Sequence, residues 1–441
     1  MSPPAPHLVD EILEQIFVCL PDPAVLARAS TACPRFNRII TDRAFLRRYR
    51  KRHTPPLLGF ADEDGFHPAE APHPSAPLAR ALADAADFTY SFVPKPNNET
   101  WRPCDVRDGR VLLEGSPHWN VPRNLAVCDP LSRRHVLLPP IPGHRAPQEK
   151  QPFQIEAMLL PVCDDEDVGR DEDETSFKVT CFAEYQTKLV AFVFSSVDRK
   201  WCVAASACWS SLGGRPHRCH QTQISQFLGC RGVSCFDFVR GCFYSASPWV
   251  DKWLMLDTRK MEFSTINDRT GYHVELRGLP GQVENVIATN DMPRRRRPGQ
   301  FRSLPRVVVG REGVLEMFSL VGDHSPNGSF GLHRTSQQKS CESSKNWQLK
   351  NVVPLPDKYD YFTVGAAEGF LFLGATTEDQ PDIDVGSPVR LVKTDWDVDY
   401  FSLEVKTSEL AKVCRRRKHF FNYENGCCYF GFPPSLSKPS I

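Results

Sequence analysis

From about residue 88 to the C-terminus one pattern recurs: a short apolar run, a polar corner, then another short apolar run. "DGRVLLEG" (108–115) is a turn and then a strand, and "LAVCDPLSRRHVLLPPIP" (125–142) is strand, tight turn, strand. The same grammar returns in "KLVAFVFSSVDRKWCVA", in "CFDFVRGCFYSAS" with "KWLMLDTRKMEFSTI", in "RVVVGREGVLEMFSLV" and in "YFTVGAAEGFLFLGATT". "DYFSLEVKTSELAKV" and "HFFNYENGCCYFGF" come after these. Runs of strand length between corners of Asp, Gly, Lys and Arg are what short hairpins require. The 38 prolines also favour turns over long helices. The pattern therefore predicts a large all-β region.

That region reads as a degenerate repeat. Turn glycines at Gly241, Gly313, Gly369 and Gly426 are spaced by 72, 56 and 57 residues. Such units approach the roughly 50-residue blade of a kelch-like β-propeller, and about 340 residues then hold about six blades. The alternative is a set of β-sandwich hairpins without radial closure.

The first fifty residues obey a different rule. Leu8, Ile12, Ile16 and Leu20 recur at intervals of four, with Leu13 and Phe17 beside them, which makes one wide apolar helix face. "LPDP" ends that helix; Asp22 is an N-cap and Pro23 suits the first position of a second helix. Pro34 restarts a third helix carrying Phe36, Ile39 and Ile40, and Asp42 caps a fourth, "RAFLRRYRKRH". A unit of about 45 residues is near the lower limit for a free-standing core, and it holds more large apolar groups than short helices can hide. Something else must cover part of this surface: the rest of the chain, or a partner protein.

The spacing of Leu8, "EIL" at 11–13, Ile16, "LP" at 20–21, Leu26, Cys33, Phe36, Ile39 and "FL" at 45–46 resembles the F-box motif over residues 8 to 48. Two positions depart from it: Val9 stands where proline is usual, and Phe36 where tryptophan is usual. The resemblance implies binding to the Skp-type adaptor of SCF ubiquitin ligases, and through it to cullin. On that likeness Leu8, Ile12, Leu13, Ile16, Leu20, Pro21, Leu26 and Phe36 are the adaptor-binding candidates, an apolar anchor set with a polar rim. The β-region, above all "DGRVLLEG" with "LAVCDPLSRRHVLLPPIP", is similar to the F-box-associated domains of plant, grass-type F-box proteins.

The expected architecture is α+β and multidomain. Residues 1–53 form the small all-α unit, 54–87 a Pro/Ala-rich linker with one short helix, and 88–441 the propeller-like domain. "TPPLLGF" (54–60) is open to a second reading, as the start of an extended segment packed on the chain after it. The resemblance implies a substrate-recognition subunit with an unknown protein target on the β-domain. Alternatives are a non-degradative adaptor-binding scaffold, or a ligand-binding or enzymatic propeller carrying an idle F-box.

Composition narrows the remaining classes. A net charge of +1 gives no reason to expect nucleic acid or membrane as partner. No apolar run approaches the roughly 18 to 20 residues that span a bilayer, and the N-terminus lacks the basic start of a signal peptide. A cytoplasmic or nuclear protein is expected, its 16 cysteines mostly reduced; "NET" (98–100) and "NGS" (327–329) then mean little as glycosylation patterns. G-x-S-x-G, P-loop, H-E-x-x-H and G-x-G-x-x-G motifs are lacking, so a non-catalytic subunit without cofactor is expected. Cys202, Cys208, His217, Cys219, His220, Cys230, Cys235 and Cys242 are the richest metal-type cluster, but no C-x-x-C pair occurs among them. Cys235 and Cys242 read more naturally as strand thiols. "CDDEDVGRDEDETS" (163–176) has Gly169 at the sixth position of a calcium loop counted from Asp164, but Thr175 at the twelfth; it reads as a solvated loop. "RRRR" (294–297) and "RRRK" (415–418) read as exposed loops, with nuclear import or an acidic partner as the functional alternative.

Overall fold

The computed structural model describes residues 8–53, 55–95, 100–115, 124–142, 152, 154–160, 176–213, 236–245, 253–266, 295–296, 305–310, 314–322, 330–337, 347–367, 369–377, 383–384, 395–419, 426–432 and 441. Four helices come first: α1 (Asp10–Val18), α2 (Pro23–Ala32), α3 (Pro34–Ile40) and α4 (Arg43–Arg52). The starts of α2, α3 and α4 obey the cap chemistry, whereas Val9 before α1 offers no side-chain cap. Asp22 Oδ1 accepts from Ala24 N at 2.8 Å, and Asp42 Oδ1 accepts from Ala44 N at 2.9 Å and Phe45 N at 3.1 Å. Cys33 caps α3 by accepting from Phe36 N on its sulfur at 3.4 Å.

Strands β1 (Leu57–Asp62) and β2 (Gly65–Pro68) come next, then α5 (Ala76–Ala85). The next strands are β3 (Trp101–Arg107), β4 (Arg110–Gly115), β5 (Leu125–Asp129) and β6 (Arg134–Leu137), and then β7 (Gln154–Leu160), β8 (Lys178–Glu184), β9 (Lys188–Ser195) and β10 (Lys200–Cys208). After these come β11 (Phe236–Val239), β12 (Cys242–Ser245), β13 (Trp253–Asp257), β14 (Glu262–Ile266) and the two-residue β15 (Arg295–Arg296). The chain continues with β16 (Arg306–Val309), β17 (Leu315–Gly322), β18 (Phe330–Gln337) and β19 (Trp347–Pro354). The last group is β20 (Tyr359–Ala367), β21 (Phe370–Thr377), β22 (Ile383–Asp384), β23 (Asp395–Glu404), β24 (Glu409–His419) and β25 (Cys427–Phe430).

Five four-stranded antiparallel meanders, β3 to β6, β7 to β10, β11 to β14, β16 to β19 and β20-β21-β23-β24, are joined by a three-stranded sheet of order β2-β1-β25. A small N-terminal helical region is thus succeeded by a large all-β region with the sheets of a six-bladed propeller. In the three-stranded sheet the C-terminal strand pairs with the first strand, Leu57 opposite Phe430 and Ala61 opposite Cys427.

The chain divides into two compact units. One combines Met1–Leu138 with Cys427–Ile441, so it holds the helices, the β2-β1-β25 sheet and the β3 to β6 sheet. The segment expected as a linker is therefore partly sheet. Only residues 53–56 separate α4 from β1, and β1 is buried along its whole length. Packing overrides the loop-like composition because Leu57, Leu58 and Phe60 supply a strand-length apolar run. This agrees with the second reading of "TPPLLGF". The aromatic rings of Phe66, Phe88 and Tyr429 close over this sheet, with Phe66 stacked on Phe88 at 4.4 Å.

The other unit, chiefly Phe177–Gly426, buries apolar side chains between successive sheets. Phe182, Phe236, Phe243 and Trp209 fill the space between the β7 to β10 and β11 to β14 sheets. Trp253, Tyr244, Val307 and Met317 join β11 to β14 with β16 to β19. Leu332, Phe318, Tyr361 and Leu403 join that sheet with the last. Each such side chain contributes about 1.5–3 kcal/mol by leaving water.

Candidate functional site

The helical unit has a closed face and an open one. Leu13 (6% exposed), Phe17, Leu26 (0%), Ile39, Ile40, Phe45, Leu46 and Tyr49 form its core. On the adjoining face, Leu8 and Val9 just before α1 and Ile12 and Ile16 within it are 39%, 53%, 47% and 46% exposed. Those four make up nearly half of the exposed large apolar residues among the described residues. The helical period explains the split: Ile12 and Ile16 lie one turn apart on one face, and Leu13 and Phe17 on the next.

The structure thus sorts the sequence candidates. Leu8, Ile12, Ile16 and Pro21 are exposed, Leu20 and Phe36 are half-buried against the core, and Leu13 and Leu26 are buried in it. Phe36 meets Phe17 edge-on with ring centroids 5.0 Å apart. Four candidates therefore stand on the surface, two straddle it and two hold the helices together. Val9 adds a fifth surface group. The motif marks it only as a departure from proline, although its place one turn before Ile12 and Leu13 puts it beside the open face.

Polar side chains tie α1 at both ends. Arg35 Nε donates to Asp10 Oδ1 at 2.7 Å, Arg35 Nη2 donates to the Leu8 carbonyl at 2.6 Å, and Arg38 Nη2 donates to Asp10 Oδ2 at 2.8 Å. Hydrogen bonds from Arg35, and then Arg38, hold the Asp10 carboxyl below the usual carboxylate range. At the other end the His53 ring meets the Val18 carbonyl at 2.7 Å, and Arg48 pairs with Glu14 in between. The open face consequently sits on a helix tied to α3 and α4. Burial, with Asp22 nearby, pushes the Tyr49 phenol up to about 12, so it stays neutral in the core.

Other sequence candidates fall elsewhere. Cys202 and Cys208 are exposed on β10, and Cys242 lies half-buried at the margin of the cluster around Trp253. His217, Cys219, His220, Cys230 and Cys235 lie outside the described residues. Among the described residues no group of three or more His, Cys, Asp or Glu is placed to hold a metal ion, and no helix is long and apolar enough to cross a membrane. The acidic run at 163–175 lies outside the described residues, as do Arg294 and Arg297 of "RRRR"; Arg295 and Arg296, expected in a loop, form β15 and pair with β22, Arg295 opposite Asp384, so cross-strand backbone pairing overrides the local charge pattern.

"RRRK" is not a loop. Arg415 to Arg417 lie in the middle of β24, with Arg415 opposite Asp399 and Arg417 opposite Asp397 on β23. Arg415 reaches Asp399 with two hydrogen bonds, 2.6 and 2.9 Å long, while Lys412 Nζ lies 2.9 Å from the same carboxylate and the Tyr359 hydroxyl donates to it at 3.1 Å. Burial pushes Asp399 up, but these donors outweigh it and hold the carboxyl at about 2. The basic run is drawn into the sheet by cross-strand acids, a pairing that no local charge count reveals.

An F-box-like family model matches residues 10–52, which are the four-helix unit. No curated protein sequence matches the chain. Among solved structures, one from a study of two prolyl endopeptidases is 9% identical with a TM-score of 0.30, covering 83% of this chain. This chain spans 59% of that structure's length. A protein from Listeria monocytogenes EGD-e is 9% identical with a TM-score of 0.28, covering 74% of this chain and 86% of its own. The β-propeller domain of the Trilobed protease from Pyrococcus furiosus, described as having an open velcro topology, is 9% identical with a TM-score of 0.26, covering 73% and 98%.

Proposed function

We propose that this chain is the substrate-recognition subunit of an SCF-type ubiquitin ligase. The helices (Asp10–Arg52) dock on a Skp-type adaptor, which brings cullin, and the β-region that begins at β1 holds a protein target. The observation that carries the reading is the apolar stripe of Ile12 and Ile16 on α1, within the F-box-like match, continued by Leu8 and Val9 just before it. An exposed cluster of large aliphatic groups with charged neighbours has the make-up of an interface centre and rim.

On this reading the chain makes and breaks no bonds. It raises the effective concentration of a target lysine beside a ubiquitin-charged enzyme. Leu8, Ile12, Ile16, Leu20, Pro21 and Phe36 then touch the adaptor, and Leu13 and Leu26 act from beneath by fixing the helices. The cytoplasm or nucleus, where SCF ligases work, is the compartment this role requires.

The test is adaptor affinity of the full chain. Ile12→Asp with Ile16→Asp should weaken binding at least about thirtyfold, the scale of losing interface hot spots, and Leu20→Ala with Pro21→Ala should weaken it less. Val203→Asp, at a 61% exposed position on β10, should change nothing. Equal binding by the Ile12/Ile16 variant and the unaltered chain would sink the proposal.

A further inference from the structure

The helical unit does not complete its own core. Phe432, two residues past β25, is 8% exposed and belongs to the cluster of Leu13, Leu26, Phe45 and Tyr49. Its ring meets Tyr49 edge-on, with centroids 5.7 Å apart and planes at 64°. The last core side chain of the N-terminal helices is thus supplied from the far end of the sequence.

The route into the core is set by the sheet. Phe430 pairs with Leu57, and Gly431 N then donates to the Pro56 carbonyl at 3.2 Å, which prolongs the ladder to the residue before Phe432. The neighbouring strand β1 begins four residues after His53, the residue following α4; Tyr49 of α4 is 1% exposed and meets the His53 ring at a tilt of 37° with centroids 4.4 Å apart. His53 in turn meets the Val18 carbonyl at the end of α1. Phe432, Tyr49, His53 and α1 therefore form one continuous chain of contacts, and β25 delivers its first member. A Cβ at Gly431 would stand 3.4 Å from Leu58 Cδ1, so the segment packs in contact with β1.

We infer that Phe432 is a positioning residue for the adaptor-binding helices: pairing of β25 with β1 inserts it, and the helices reach full order only when the C-terminal strand is in place. Resting on the function proposed above, this couples adaptor recruitment to a completed β-region. A chain truncated before β25, or one whose closing sheet is open, presents a loosened α1.

The experiment compares the full chain with Phe432→Ala and Phe432→Leu by amide hydrogen exchange and by adaptor affinity. Phe432→Ala is expected to speed exchange in α1 and α4 about tenfold or more while β9 amides keep their rates. Phe432→Leu, which refills most of the volume, restores α1 and α4. Adaptor Kd rises about threefold or more in Phe432→Ala as the competent fraction falls, and returns in Phe432→Leu. Unchanged exchange in α1 and α4 would overturn the inference, as would equal acceleration in β9. Exchange is read without adaptor, so an unaltered chain that fails to bind adaptor removes the proposed function and leaves this inference to be decided by the helix amides.

Discussion

Val9 occupies the N-cap of α1 at φ −72° and ψ 158°. A proline ring holds φ near −65°, and an extended residue before a helix is where it fits. The backbone here has therefore kept the conformation that the F-box resemblance associates with proline, although the side chain differs. Val9→Pro is expected to leave the fold intact and to change stability by less than about 1 kcal/mol, because only the unfolded chain loses freedom. Thermal unfolding and adaptor affinity check this, and a large loss of helix would show that the Val9 N–H is needed. Residue spacing read from sequence located the apolar face of α1, but not its division. Leu13 and Ile12 are neighbours of similar hydrophobicity; one is core and the other exposed because α3 and α4 pack on a single side.

At the scale of elements, turn chemistry carries the repeat. The loops at 130–133, 196–199, 258–261 and 405–408 each end on a non-glycine residue with positive φ: Arg133 (56°), Arg199 (52°), Met261 (52°) and Ser408 (61°). Asp129 and Asp257 enter two of them by accepting from the backbone N–H groups of Leu131 and Ser132, and of Arg259 and Lys260. Turn glycines are a weaker marker. Gly241 and Gly369 do sit at tight corners with φ 77° and 80°, but Gly313 lies outside the described residues and Gly426 precedes a strand that pairs with β1. Strands β10, β19 and β24, each last in its sheet, have register shifts of the β-bulge kind, which discourage pairing with other chains. Gly59 is the element-scale weak point. At φ 150°, a Cβ there would stand 2.1 Å from the His67 carbonyl oxygen. Gly59→Ala is expected to cost on the order of 2–4 kcal/mol through strain in β1 and its pairing with β2. Urea unfolding of the variant measures it, and an unchanged midpoint would contradict the clash.

Across the whole molecule, long-range ties decide what the elements build. Arg306 on β16 is 3% exposed; its Nη1 lies 3.4 Å from Asp237 Oδ1 on β11, and its Nη2 donates to the Val364 carbonyl on β20 at 3.0 Å. Asp237 also accepts from Val307 N at 2.9 Å, so one buried pair links three successive sheets. Burial pushes Asp237 up to about 6 even though the Arg306 charge and these hydrogen bonds pull it down. Arg306→Ala removes the cation and raises it further. Its folded value then lies above the unfolded value of about 3.9, so the folded state holds the extra proton. Stability of the variant should be highest near pH 4 to 5 and fall as pH rises through 6 and beyond, with a loss of about 3–5 kcal/mol relative to the unaltered chain at pH 8. Urea midpoints at pH 5 and pH 8 test the sign; equal losses at both would reject it.

The starts of α2, α3 and α4, the hairpin corners, the all-β character after residue 88 and the apolar face of α1 are legible in the amino-acid sequence alone. Caps, side-chain period and turn residues act over a few neighbours, and they are written where they act. Three further facts emerge only from the assembled chain: β25 closes on β1, Phe432 completes a core begun at Leu13, and "RRRK" is a strand facing acids on β23. These contacts join segments remote in the chain. Their free energy comes from burial and charge pairing that exist only once the sheets have assembled, so no local pattern records them.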